Sequence, residues 1–167
     1  MPLLLDRNGG KPDPFVHVEL LDDAAGKAAL DNWDVIAALL AAKPAQAGVI
    51  VPNNILAEEI EPYFDRLALI AISFPSGADG RGFSLARQLR QRGYKGVLRA
   101  SGPLFSDQFP QALACGFDEV EIPDANAARQ PEAHWLAALQ RISLAYQRDY
   151  AQGESILARR TQEKNNA

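Results

Sequence analysis

The residues of this chain best suited to chemistry lie in a glycine-rich loop and in the basic stretch that follows it. Pro75-Ser76-Gly77-Ala78-Asp79-Gly80-Arg81-Gly82 holds three glycines that let backbone amides approach a ligand, with one carboxylate and one guanidinium among them. An anion there would meet the N–H groups of a helix start and the charge of Arg81. The loop matches neither G-x-G-x-x-G nor the Walker pattern, and the same glycines serve equally as turn formers. From Arg81 to Arg99 there are six basic residues, Arg81, Arg87, Arg90, Arg92, Lys95 and Arg99, and no acid. Arg90 and Arg92 complement the negative end of a helix, which accounts for them without a ligand. Arg87 and Arg99 need another reason. Arg99 sits within Val97-Leu98-Arg99-Ala100, where burying an unpaired guanidinium is costly. It therefore requires a bound anion or a carboxylate, with Asp107 or Asp79 as the candidates.

Other reactive residue types carry weaker signals. Cys115 lies at a helix C-terminus, where the dipole raises a thiol pKa, and reads as a packing residue. His134, in the first turn of the last helix, has no recognisable partner. Asp118, Glu119 and Glu121 alternate around a strand and place two acids on one solvated face, which gives paired-carboxylate chemistry little support. One cysteine and two histidines exclude an internal disulfide, a CxxC pair and an all-cysteine metal cluster within one chain, so no metal site is expected. A net charge of −4 argues against a dedicated nucleic-acid binder.

These residues have to be positioned by a fold, and length and patterning point to one. A chain of 167 residues, 47% hydrophobic and 23% charged, suits one globular domain. Its longest nearly unbroken apolar run, Leu67 to Phe74, is far short of the roughly 20 residues that span a bilayer, so no membrane segment is expected. The start, Met1 to Arg7, lacks the basic and apolar regions of a secretory signal, and the cytoplasm is the expected location. Four apolar segments, 48–51, 67–74, 96–101 and 118–122, read as strands, the first three buried on both faces and the fourth half-buried. Helical spacing between them is the signature of βα crossovers, hence an α/β domain of repeated βα units. The expected architecture is an open parallel sheet of four or five strands flanked by helices.

The helices carry their own boundaries. Asp31 or Asn32 caps a helix through Trp33, Ile36, Leu39 and Leu40 that ends before Pro44. Asn53 or Asn54 caps the next, with Ile55, Leu56 and Ile60 facing the sheet and Pro62 breaking it in two. Asp79 opens a third, which buries Phe83, Ala86 and Leu89 and ends at Gly93. Ser106 or Asp107 opens a fourth, with Pro110 in its first turn and Gly116 just past its end. The fifth starts at Pro131 and aligns Trp135, Leu139, Ile142 and Tyr146. The domain is expected over 1–150, with residues 1–30 an irregular N-terminal segment containing a possible strand at Phe15–Leu21. Residues 151–167 form a polar tail expected to be frayed. Ligands of open parallel sheets bind beyond the carboxyl ends of the strands. The ends here begin Pro52-Asn53, Pro75-Ser76, Ser101-Gly102 and Pro123-Asp124, all polar and turn-rich.

A string of motifs adds a resemblance. Asp79-Gly80-Arg81-Gly82-Phe83-Ser84, Ala86-Arg87, Leu89-Arg90, Arg92-Gly93-Tyr94-x-Gly96-x-Leu98-Arg99-Ala100-x-Gly102, Asp107-Gln108 and Cys115-Gly116-Phe117-Asp118 occur in this order. Over residues 48–150 the chain resembles the bacterial proteins of "domain of unknown function 934". The family is encoded beside sulfite reductase and phosphoadenylyl-sulfate reductase genes and labelled as an oxidoreductase of sulfite reduction. The resemblance therefore implies a place in sulfur assimilation, among sulfite, sulfate and adenylyl sulfates. Asp79, Arg81, Arg87, Arg99, Asp107 and Gln108 match the family pattern. Asn54, Ala78 and Ser106 depart from it. The residues themselves offer the oxidoreductase label no cysteine pair, metal cluster or dinucleotide fingerprint, and the cofactor is left unknown.

Two functions follow. The first is an accessory protein that docks on sulfite reductase, its electron donor or another sulfate-assimilation enzyme, with Asn53, Gly80, Arg81, Gly82, Arg87, Arg99 and Gln108 as the anion- or partner-binding residues. The second is a stand-alone enzyme on a small phosphorylated or sulfated anion, with Asp79 or Asp107 as general base and the arginines neutralising charge. Oligomeric state is not legible.

Overall fold

The computed structural model describes residues 2–19 and 47–141. Within them seven strands form one sheet: β1 (Leu3–Asp6), β2 (Gly9–Gly10), β3 (Val16–Glu19), β4 (Ala47–Pro52), β5 (Leu69–Ser73), β6 (Val97–Ser101) and β7 (Glu119–Ile122). Their spatial order is β2-β1-β7-β6-β5-β4-β3. The five strands β3 to β7 are mutually parallel. The protein is thus α/β, and the four strands expected from apolar runs are all present and parallel.

The first strand pair is a correction. The opening residues are not irregular: β1 pairs antiparallel with β2 and with β7, closing one sheet edge with a hairpin. Gly9 turns that hairpin at φ 122, a conformation that penalises any side chain. The strand expected at Phe15–Leu21 is present as β3. The helix expected over Trp33 to Leu40 and the polar tail 151–167 lie outside the described residues.

Helical segments link the parallel strands. They are α1 (Ala57–Ile60) continuing into a 3₁₀ turn (Glu61–Arg66), α2 (Arg81–Gln91), a 3₁₀ turn (Ser106–Gln108) leading into α3 (Phe109–Ala114), α4 (Asp124–Ala127) and α5 (Glu132–Arg141). Pro62 falls at the junction of α1 and its 3₁₀ turn, and Pro110 in the first turn of α3, where a missing N–H does no harm. Gly93 and Gly116 take positive φ after α2 and α3. There the bonds Tyr94 N–H to Leu89 O and Phe117 N–H to Ala112 O close each helix end. Leu56 departs from expectation. It precedes the first turn of α1 instead of lying within it, so it does not face the sheet and is 60% exposed.

Consecutive parallel strands advance across the sheet in one direction, and crossovers of one hand then place their helices on one face. The core follows that geometry. Val49, Val51, Ile70, Ile72, Leu98, Ala100, Val120, Ile122 and Leu5 pack with Ile60, Phe83, Ala86, Leu89, Phe109 and Trp135 of the helical layer. On the opposite face Leu4, Leu69, Ala71, Arg99 and Glu119 are also buried. A strand covered on both sides reads as a continuous apolar run, as β5 does. Among the described residues no helix is long and apolar enough to cross a membrane.

Candidate functional site

The loops that follow β4, β5 and β6 are neighbours because their strands are. Beyond β5, Asp79 accepts hydrogen bonds from Arg81 Nε (3.0 Å), Arg81 Nη2 (2.7 Å) and the Arg81 backbone N–H (3.2 Å). This paired geometry orients the guanidinium, and it engages the N–H of the first residue of α2, whose N-cap is Gly80. Arg81 first, and then the carboxamide of Asn53, hold the Asp79 carboxyl well below the usual carboxylate range. Asn53 is buried beyond β4, and its Nδ2 makes no regular hydrogen bond, so it acts on Asp79 through proximity more than through a well-formed bond. A carboxylate held so firmly in its ionised form has little affinity for a proton near neutrality. The arrangement suits Asp79 as an anchor for Arg81 better than as a general base. The Arg81 side chain itself stays 61% exposed.

The three loop glycines separate by surroundings. A Cβ on Gly77 would lie 2.6 Å from Phe105 Cε2 and 2.7 Å from Pro103 O, and a Cβ on Gly82 would lie 2.3 Å from Phe74 Cζ. Both are glycine because other groups fill the space. Gly80 would meet nothing within 4 Å. Gln108 ties two loops together, donating from Nε2 to Gly77 O (2.7 Å) and accepting the Phe105 N–H at Oε1 (2.9 Å). Its role is to hold Phe105 against the Gly77 turn, where the ring remains 52% exposed. Asp107, beside it in the 3₁₀ turn, is exposed.

Arg99 belongs to a different constellation. Its position in β6 registers with Glu119 of β7, so both side chains lie on the face away from the helical core. Arg99 Nε donates to Glu119 Oε1 (2.7 Å), Nη1 to Glu121 Oε2 (3.2 Å), and the fork to Asp13 Oδ2 and Oδ1 (2.6 and 2.8 Å). Lys11 Nζ adds an ion pair to Glu119 Oε2 at 2.5 Å, and the Phe15 ring lies 5.7 Å from the guanidinium. Burial works against the charge, but the bonds to Asp13 and the proximity of Glu119 outweigh it, so the arginine pKa rises. The expected partners, Asp107 and Asp79, are therefore replaced by Asp13, Glu119 and Glu121, because strand register and the N-terminal segment bring those acids to it. Nor is the acidic face solvated: Glu119 is buried, and β7 is covered on both sides.

Arg90 and Arg92 of the basic stretch are accounted for by ion pairs and packing. Arg90 donates to Gly116 O, Tyr94 O and Gly96 O and pairs with Asp118. Arg92 pairs with Glu58 and Glu61. Arg87 lies on α2 with Nη2 3.9 Å from Cys115 Sγ. Burial pushes the Cys115 thiol pKa up, with Arg87 opposing. Among the described residues no group of three or more His, Cys, Asp or Glu is placed to hold a metal ion.

The fold thus brings Asn53, Asp79, Gly80 and Arg81 to one sheet edge with Gly77, Asp107 and Gln108, places Arg87 along α2, and turns Arg99 to the other face. Lys11, Asp13 and Phe15, which complete the Arg99 network, carry no local signal in the sequence. Exposed Phe105 escapes notice there because a lone apolar residue next to a turn looks like any other, and exposed Leu56 reads there as a helix residue facing the sheet.

A family model described as "Bacterial protein of unknown function (DUF934)" matches residues 48–157, well over half of the chain. No match is found among the curated proteins.

Proposed function

The chain belongs to the DUF934 family of bacterial proteins of unknown function, and from that footing we propose that it is a cytoplasmic accessory protein of assimilatory sulfate and sulfite reduction. It docks on sulfite reductase, or on the enzyme that supplies its electrons, through the carboxyl edge of its sheet. The sulfur assignment rests on the family resemblance drawn from the motif string. The docking assignment rests on one observation: Leu56 and Phe105, 60% and 52% exposed, flank the loop that presents the exposed guanidinium of Arg81. The loops of β4 and β6 lie on either side of the β5 loop, so one aliphatic, one aromatic and one cationic side chain share an edge. Exposed apolar anchors beside a fixed arginine are the features of a protein interface.

The catalytic alternative, an enzyme on a small phosphorylated or sulfated anion, asks for a carboxylate able to take a proton inside a concave site. Asp79 is engaged by Arg81 and Asp107 is exposed, which favours docking. In an oxidoreductase complex the electrons would travel on the partner or on a bound organic cofactor.

The test is affinity capture of the tagged full chain from cells grown with sulfate as sole sulfur source and from cells supplied with cysteine. Sulfite reductase or its donor should be recovered from the former, and recovery should drop at least about tenfold, as loss of one interface anchor implies, with Leu56→Ser/Phe105→Ser. Equal recovery by this variant would remove the edge from the interface. Absence of every sulfur-assimilation enzyme from the capture would overturn the assignment.

A further inference from the structure

The connection from β2 to β3 shapes the sheet face away from the helices. These two strands stand at opposite edges, six strand spacings apart, which in a flat sheet is about 29 Å at roughly 4.8 Å per spacing. Only residues 11–15 join them, and the six steps from Gly10 to Val16 reach about 22 Å at most. The connection crosses the face away from the helices, where Asp13 takes the Arg99 fork and the Phe15 ring lies 5.7 Å from the guanidinium. The sheet therefore curls around this face, short of closing, and makes it concave.

Register arranges the concave face in levels. At one level Ala71, Arg99 and Glu119 are neighbours, and all three are buried. One level closer to the carboxyl ends of the parallel strands, Ser73, Ser101 and Glu121 are neighbours on the same face, because side chains two apart in a strand point the same way. Each of these three is half-buried. Pro52 and Leu4 end the row, which confines its polar part to the centre. Among the described residues the hydroxyls of Ser73 and Ser101 make no hydrogen bond. Glu121 accepts from Arg99 Nη1 at Oε2 (3.2 Å), which leaves Oε1 for another donor, and its side chain is 21% exposed. Inward-facing polar groups at the carboxyl ends of parallel strands are where curled sheets of βα units bind ligands.

We propose that this row binds a small polyhydroxylated molecule, a sugar or the ribose of a nucleoside. Neighbouring strands lie about 4.8 Å apart, so the three groups extend over about 10 Å, a span that several hydroxyls can follow and a single point charge cannot. Each serine hydroxyl both donates and accepts, as a ligand hydroxyl does, and Glu121 Oε1 accepts only, which asks for an O–H on the ligand. An anion would meet the Glu121 carboxylate at close range. The row lies on the far side of the sheet from the helical layer and uses neither Leu56 nor Phe105, so it stands or falls independently of the docking partner.

The experiment is an amide NMR titration of the full chain with D-ribose, adenosine, 2′,3′-dideoxyadenosine and ethylammonium chloride. D-ribose, adenosine or both should shift resonances of residues 72–74, 100–102 and 120–122 at millimolar concentration, and the other two probes should not. A response to both means that the ribose hydroxyls are read wherever they are carried. D-ribose alone restricts the site to free sugars, and adenosine alone restricts it to nucleosides. Glu121→Gln should weaken the response at least about tenfold, as loss of a charge-assisted bond implies. Ser73→Ala/Ser101→Ala should weaken it at least about fivefold, as loss of two hydrogen bonds implies. The melting curve of the serine variant should be unchanged, because among the described residues no bond depends on either hydroxyl, and this covers the case in which Glu121→Gln disturbs the fold through Arg99. The proposal is overturned if neither D-ribose nor adenosine shifts these residues, if dideoxyadenosine or ethylammonium binds as tightly as they do, or if the serine variant binds like the parent.

Discussion

Arg99 and Glu119 face each other across two parallel strands, joined at 2.7 Å from Nε to Oε1, and neither side chain is more than 1% exposed. The pair lies in a row that register extends from Ala71 of β5 through Arg99 and Glu119 to Asp6 of β1. The N-terminal hairpin and the segment after it therefore complete the charge balance of the central strands. A buried arginine is tolerated here because Asp13, Glu119 and Glu121 engage its donors, while Lys11 balances the second oxygen of Glu119.

Replacing Arg99 with methionine should destabilise the protein strongly, since Glu119 would stay buried without its main partner. The expected loss is about 3–5 kcal/mol, read by urea unfolding. Arg99→Met/Glu119→Leu should regain part of it by removing the abandoned acid. A melting temperature within a few degrees of the parent for the single variant would mean that the arginine is held for a ligand and not for the fold.

Asp79 should remain ionised below about pH 3, under the usual carboxylate range. Its pKa in the folded chain lies below the unfolded value, so the stabilisation is present above about pH 4 and is lost as pH falls further. The pair with Arg81 faces solvent, and salt screening keeps the effect on stability small. Carboxyl NMR titration should show no Asp79 inflection down to about pH 3. In Arg81→Gln the inflection should return toward 3.8.

Cys115 should alkylate slowly in the native protein near neutral pH and rapidly once unfolded, because burial holds the thiol protonated. Arg87 works in the opposite sense, so Arg87→Gln should move the midpoint of the rate–pH profile upward. A midpoint below the parent's would contradict the role assigned to the guanidinium.

The glycines of the loop after β5 and of α2 should tolerate alanine very differently. Gly82→Ala drives a Cβ to 2.3 Å from the Phe74 ring and should cost about 1–3 kcal/mol. Gly80→Ala enters open space at an ordinary φ and should stay within about 0.5 kcal/mol of the parent in the same unfolding assay. Similar losses for both would mean that the loop packs differently from the arrangement described.

Much of the fold is legible in the sequence because its signals are local. The run Leu69-Ile70-Ala71-Ile72 announces a strand covered on both faces, Gly93 and Gly116 mark helix ends, and Pro62 marks a break, each through the conformational limits of a few adjacent residues. The candidate edge is legible for the same reason. Strand order places the polar loops after β4, β5 and β6 together, and Asp79 meets Arg81 two residues away.

What the sequence by itself determined is therefore the set of parallel strands, their helical connections and the edge where their loops meet. Tertiary structure alone decided which acid meets which base. The Arg99 fork closes on Asp13, separated from it by 86 residues, and Glu132 accepts the Gly10 N–H across a separation of 122. Those pairings depend on the register of β6 with β7 and on β1 docking antiparallel beside β7. No spacing within either segment encodes them, because a charge chooses its partner by distance and dielectric after the chain has folded. Leu56 shows the same limit on a smaller scale, since a helix start displaced from the expected cap at Asn53 or Asn54 to Leu56 itself moved it from the expected sheet contact to the open edge.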